Sequence, residues 1–230
     1  MRAAAIIVAA GAGTRMRADV NKVFLEIGGR SLLAWSLALF QDVSSVVDMV
    51  VVSRTGDVEK TRELGHRYGK LSAVVPGGDV RHRSEFAGIK ALAASIDAGR
   101  IEAVLVHDAV RPFASPQLVE RLLAGVTAGV GCIPGYALPH TVVEEADGWV
   151  SGYPSNLWAV QTPQAFQATW LLEAHNKAAR QGFVGTDTAS VIEWAGGDVR
   201  VIEGEADNMK ITSPDDLARA EPLAANRLNG

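Results

Sequence analysis

The sequence predicts an α/β fold: a doubly wound, mainly parallel sheet with helices on both faces, plus a protruding β-arm. Three observations carry this expectation. Short apolar runs alternate with segments of helical period from Ala3 to Val126, the pattern of a parallel sheet covered on both sides. Two polar stretches, Val8–Lys22 and His107–Arg111, directly follow apolar runs, and ligands of such sheets bind beyond the carboxyl ends of the strands. Third, the helical period vanishes between Tyr136 and Tyr153, where two β-rich runs flank Asp147-Gly148, a strong hairpin-turn signal.

Taken in order, Ala3–Val8 reads as a buried strand. Ser31 caps a helix in which Leu32, Trp35 and Leu39 share a face. Met49–Ser53 is the second strand, and Asp57 opens an amphipathic helix to about Tyr68. Ala73–Val75 is a third strand, closed by Pro76-Gly77-Gly78. The next helix turns Phe86, Ile89, Ala93 and Ile96 inward. Ala103–Val106 is a strand ending at His107-Asp108, and Ser115-Pro116 starts another helix. Thr141–Glu145 and Trp149–Tyr153 form the hairpin, which needs a domain or a partner chain beneath it because an isolated two-stranded ribbon is marginal. Helices at Thr169–Gln181 and Asp187–Ala195, a strand at Val199–Glu203 and a capped helix start at Ser213-Pro214 complete the chain.

The 230 residues, 48% of them hydrophobic, suit one domain spanning 1–230 with its arm at about 136–155. A formal charge of −4 lacks the basic footprint of a nucleic-acid binder. The single cysteine, Cys132, cannot form an intramolecular disulfide. It implies a reducing, cytoplasmic setting and reads as a buried structural thiol. The apolar Ala3–Ala10 run is short and alanine-rich for a secretion signal, and no run approaches a membrane span.

The chemistry concentrates in a few stretches. Gly11 and Gly13 let a ligand approach bare amides, which suit phosphate oxygens. Arg15 and Lys22 just downstream suggest a polyphosphate. Met16 stands where a dinucleotide fingerprint needs its third glycine, and the G-K-[ST] of a P-loop is absent. Gly77-Gly78-Asp79-x-Arg81-x-x-Ser84 can present backbone groups and a hydroxyl to a base edge, and cytosine's 4-amino group is a distinctive donor there. Asp108, at a strand's carboxyl end, is the candidate ligand for Mg²⁺, which is held in nucleotide sites by one or two carboxylates plus phosphates. Arg111 suits bidentate contact with an acceptor phosphate. His107 reads as structural, because an attacking phosphate monoester is already mostly ionised at pH 7 and needs no base. Each of these stretches alone is also compatible with an ordinary turn, cap or ion pair.

The loop Val8–Lys22 resembles the signature loop of nucleotidyltransferases. Together with Gly77–Ser84, Val106–Pro112, Gln161-Thr162-Pro163-Gln164, Thr186-Asp187 and Ala206–Ile211, it resembles the 2-C-methyl-D-erythritol 4-phosphate cytidylyltransferase family over nearly the whole chain. The resemblance implies a Rossmann-like nucleotidyltransferase fold and transfer of a cytidylyl group from CTP to a polyol monophosphate in isoprenoid biosynthesis. It implies homodimers whose β-arms reach the neighbouring subunit, with no membrane partner. Ala9, Ala10, Gly11, Gly78, Asp79, Ser84 and Ala109 fall on CTP-contacting positions. Arg15, Lys22 and Lys210 fall on cations around the α-phosphate. Arg111, Thr141, Thr162, Thr186 and Lys210 fall on acceptor-phosphate positions, Thr141 coming from the partner. Three departures stand out. Asn21 replaces the proline before the lysine, His140 replaces a frequent aspartate before the arm threonine, and Pro154 replaces an arm arginine eight residues before Thr162. Two alternatives follow: a cytidylyltransferase for another polyol phosphate such as ribitol 5-phosphate, or an inactive nucleotide-binding relative.

Overall fold

The apolar run at the start becomes β1 (Ala3–Ala9), whose side chains alternate between two separate cores. Ala3, Ala5, Ile7 and Ala9 face one core, and Ala4 and Ile6 face the other, as the two-residue period of a strand requires. The computed structural model describes residues 1–11 and 21–229. After a short 3₁₀ turn (Lys22–Phe24) come β2 (Glu26–Ile27), β3 (Arg30–Ser31), α1 (Leu32–Asp42), β4 (Val46–Ser53), α2 (Val58–Gly65), β5 (Leu71–Pro76), α3 (Arg81–Asp97), β6 (Ala103–Asp108) and α4 (Pro116–Gly125). The second half contains β7 (Val130–Ala137), β8 (Glu144–Ala146), β9 (Trp149–Gly152), β10 (Trp158–Val160), β11 (Gln164–Gln167), α5 (Ala168–Gln181), α6 (Thr188–Trp194), β12 (Asp198–Glu203) and α7 (Pro214–Asn229).

The main sheet runs β10-β7-β11-β6-β1-β4-β5. β12 lies parallel on β7 and pairs with Cys132 and Gly135, which also pair with Ala165 of β11 and Val160 of β10, so β12 occupies β7's opposite edge. The β1/β4, β1/β6, β4/β5 and β7/β12 pairings are parallel. Helices α1, α4 and α7 cover one face, and α3, α5 and α6 the other. Among the described residues no helix is long and apolar enough to cross a membrane.

The expected caps are in place. Ser31 accepts the Ala34 N–H at 3.2 Å, and Ser115 accepts the Leu118 N–H at 3.0 Å with Pro116 beginning the helix. Cys132 is fully buried, and burial raises its thiol pKa. Four expectations need correction. Gln161–Gln164 is not only a turn, because Gln164 starts β11, which inserts antiparallel between β6 and β7. The inward face of α3 is carried by His82, Glu85, Ile89, Leu92 and Ile96, with Phe86 only half-buried against the ring of His175. Asp57 precedes α2 without capping it by its side chain; its carboxylate instead accepts from Asn21 Nδ2 at 2.9 Å. The hairpin strands are shorter than expected, Glu144–Ala146 and Trp149–Gly152, joined through Asp147 and Gly148 at φ 51° and 83°. Positive φ at both central residues is the twist-matched two-residue turn that Asp-Gly favours.

Candidate active site

The carboxyl ends of β1, β4, β5 and β6 open onto one cleft of about 450 Å³. Ala10 and Gly11 leave β1 along one wall, and among the described residues a Cβ built at Gly11 would meet nothing within 4 Å. Across the cleft, Gly78, Asp79 and Ser84 line the other wall. A Cβ at Gly77 would lie 2.5 Å from Ala10 Cβ and 2.8 Å from Ser84 Oγ, so only glycine lets the two walls approach this closely. Ser84, in the first turn of α3, accepts the Gly78 N–H at 3.1 Å and holds the loop in shape.

Lys22 reaches the cleft from the 3₁₀ turn. Asn21, 6% exposed, holds that turn: Nδ2 donates to Ala9 O at 3.3 Å and to Asp57 at 2.9 Å, while Oδ1 caps the Val23 N–H. Proline would have fixed φ alone; asparagine anchors the same turn to β1 and to the entry of α2. Gly13 and Arg15 lie outside the described residues.

Asp108 ends β6 on the floor of the cleft. Arg81 donates to Oδ1 through Nη2 at 3.1 Å and Nε at 3.3 Å, and Lys210 Nζ donates to Oδ2 at 2.8 Å. Burial alone would raise the Asp108 pKa, but Arg81 and Lys210 outweigh it and hold the carboxyl well below its ordinary range. The Asp108 N–H donates to Thr162 Oγ1 at 3.0 Å. His107 is fully buried, its Nε2 facing Arg111 O at 3.1 Å and its Nδ1 facing Thr162 Oγ1 at 3.2 Å. Facing a carbonyl fixes the proton on Nε2, so the Thr162 hydroxyl donates to Nδ1. Burial is the main cause that lowers the His107 pKa to about 4, and the ring is neutral at pH 7.

The late, individually weak motifs converge here. Gln161 Nε2 donates to Glu205 O at 2.7 Å, Asn208 Nδ2 to Thr162 O at 2.9 Å, and the Ile211 N–H to Val110 O at 2.8 Å. These bonds zip the Lys210 segment onto the exit of β6. Arg111 lies on the same seam. Its Nη1 donates to Asn208 O at 2.8 Å and its Nη2 to Val160 O at 3.1 Å, while Nε is buried with no hydrogen-bond partner among the described residues. Ala9 and Ala109 are buried behind the cleft, linked by the Ala109 N–H to Val8 O at 3.1 Å. Thr141 and Thr186 are exposed and do not line the cleft in this single chain. Two residues were overlooked as site residues: Arg81 and its neighbour Glu85, an ion pair at 2.6 Å. Their signal was the four-residue spacing that puts both on one side of a helix just past the glycine turn.

A mainly parallel sheet whose strand ends bring Gly11, Gly77-Gly78, Lys22 and Lys210 to one cleft has the arrangement of the α/β nucleotidyltransferase class. Residues 3–225 match the family model described as IspD: 2-C-methyl-D-erythritol 4-phosphate cytidylyltransferase. This chain belongs to that family. A relative from Halalkalibacterium halodurans carrying that name is 37% identical over 231 residues, covering 99% of each chain. One from Geotalea uraniireducens is 38% identical, covering 96% of each. Among solved structures, the 4-diphosphocytidyl-2C-methyl-D-erythritol synthase of Anaerococcus prevotii superposes with a TM-score of 0.81 at 30% identity, over 97% of this chain and 96% of that one. The 2-C-methyl-D-erythritol 4-phosphate cytidylyltransferase of Thermus thermophilus gives 0.74 at 34% identity, over 98% and 100%.

Proposed function

We propose that this chain transfers a cytidylyl group from CTP to 2-C-methyl-D-erythritol 4-phosphate and releases pyrophosphate. The observation that carries the reading is the joint presence of Lys22, Lys210 and the Gly78–Ser84 wall on one cleft. The acceptor's phosphate oxygen attacks the α-phosphorus in line, forming the new P–O bond as the bond to the pyrophosphate oxygen breaks. Lys22, Lys210 and Arg15 stabilise charge on the α-phosphate and the leaving group, and the Gly78–Asp79–Ser84 wall receives the cytosine edge. His107 takes no part as a base: its ring is neutral and buried, with both nitrogens engaged. Arg111, Thr186 and the partner's arm hold the acceptor phosphate, while the buried Thr162, engaged by the Asp108 N–H and His107 Nδ1, fixes the strand end behind it.

Mg²⁺ fits this donor set. Asp108 offers one firmly ionised carboxylate, and a triphosphate supplies the remaining oxygens. Bound there, the ion would neutralise phosphate charge. In the free enzyme Arg81 holds Oδ1 and Lys210 holds Oδ2 of that carboxylate, so Lys210 would turn from Oδ2 to the triphosphate when the nucleotide and its ion are bound.

The chain works as one catalytic domain and as a cytoplasmic homodimer. The hairpin exposes Trp149 (79%) and Tyr153 (73%), apolar area suited to the surface of a second copy. The second reading, another polyol phosphate such as ribitol 5-phosphate, is favoured by Pro154 in place of an arm arginine. Pyrophosphate release with CTP, Mg²⁺ and each acceptor separates the two. Turnover is expected with 2-C-methyl-D-erythritol 4-phosphate, and a higher kcat/KM for ribitol 5-phosphate would overturn the assignment.

A further inference from the structure

The charged network around Asp108 does not end at the cleft. Arg81 lies between two carboxylates: Nη2 and Nε address Asp108 Oδ1, and Nη1 sits 2.6 Å from Glu85 Oε1. Glu85 is wholly buried on the second turn of α3, where its charged partner is Arg81 and the Thr188 hydroxyl at the start of α6 lies beside it. A carboxylate placed there is costly unless a charge compensates it. Burial raises its pKa to about 7, opposed first by Arg81. Fold stability alone does not ask for a wholly buried carboxylate on α3.

We infer that Glu85 is a positioning residue of the nucleotide site: it pins Arg81 so that the guanidinium stays on Asp108 Oδ1 when Lys210 leaves Oδ2 for the triphosphate. Arg81 is long, 27% exposed and faces the cleft. Released from Glu85, it is free to swing into the cleft and occupy the space where phosphate oxygens must sit, leaving Asp108 with no fixed partner. Ser84, the residue before Glu85 on α3, holds the Gly78 loop. The start of α3 thus sets both the base-facing wall and the orientation of the floor carboxylate.

The inference rests on the CTP reading above, and its test separates the two. Calorimetric CTP titration and steady-state kinetics are measured on the wild-type homogeneous enzyme, Glu85→Gln, Arg81→Leu and the double variant, with melting curves for each. Glu85→Gln is expected to weaken CTP binding and raise its KM about tenfold, with kcat changed far less. In the Arg81→Leu background the same change is expected to have no further effect, because Glu85 acts through Arg81. Glu85→Met replaces Glu85→Gln should the buried amide prevent folding. CTP affinity within twofold of wild type in a folded Glu85 variant, or additive losses in the double variant, would overturn the inference. Failure of the wild-type enzyme itself to bind CTP would instead overturn the functional reading.

Discussion

Lys22 and Asn21 show how much depends on single side chains at the cleft. Lys22 is expected to stabilise charge that grows in the transition state. Lys22→Ala should therefore lower kcat by about 10²–10³ with little change in CTP affinity; a kcat within a few-fold of wild type would remove that role. Lys22, Gly78, Ser84 and Asp108 were legible because each belongs to a short contiguous motif. Asn21 stood out only as a departure, since its two long-range partners, Ala9 and Asp57, are brought to it by the fold. The seam that joins Gln161 and Thr162 to Asn208 was hidden for the same reason. Its members lie more than forty residues apart, and each is an ordinary polar residue in isolation.

At the scale of elements, α3 and α5 meet through stacked imidazoles. His82 and His175 lie 5.0 Å apart at 17°, and among the described residues neither nitrogen of His175 has a hydrogen-bond partner. Burial, followed by the charge of His82, lowers the His175 pKa to about 3. Between pH 6.5 and about 3 the unfolded chain binds a proton at this position and the folded chain does not. Stability should thus be lost as pH is lowered through that window, by about 1.4 kcal/mol per pH unit from this group. His175→Phe, which keeps a ring against Phe86, should flatten the acid side of the stability curve, measured as denaturant midpoint against pH. Glu85 slopes the other way from its ordinary range up to about 7, so the effect is read by difference between the two proteins. In the hairpin, Gly148 stands at φ 83°, where a β-branched side chain is strained. Gly148→Val should reduce kcat/KM for the acceptor several-fold while CTP binding holds, and equal loss of both would sever the hairpin from acceptor binding.

Across the whole molecule, two cores on either side of one sheet hold the strand ends in register, while the hairpin β8–β9 forms a separate two-stranded sheet. A dimer built through it should dissociate in Trp149→Asp, seen by sedimentation, with turnover lost and CTP binding kept; an unchanged dimer would place the interface elsewhere. Local pattern alone accounts for the fold class, the alternation of strands and helices from Ala3 to Val126, the caps at Ser31 and Ser115, the Asp147-Gly148 turn and the nucleotide motifs. All of these depend on local period, backbone stereochemistry or residues close in the chain. Only the tertiary structure decided that β11 enters the sheet antiparallel, that α3 buries Glu85 rather than Phe86, and that Arg81 and Lys210 share Asp108. Those outcomes follow from which distant surfaces pack together, and a one-dimensional pattern carries no record of a charge neutralised by a partner some hundred residues away.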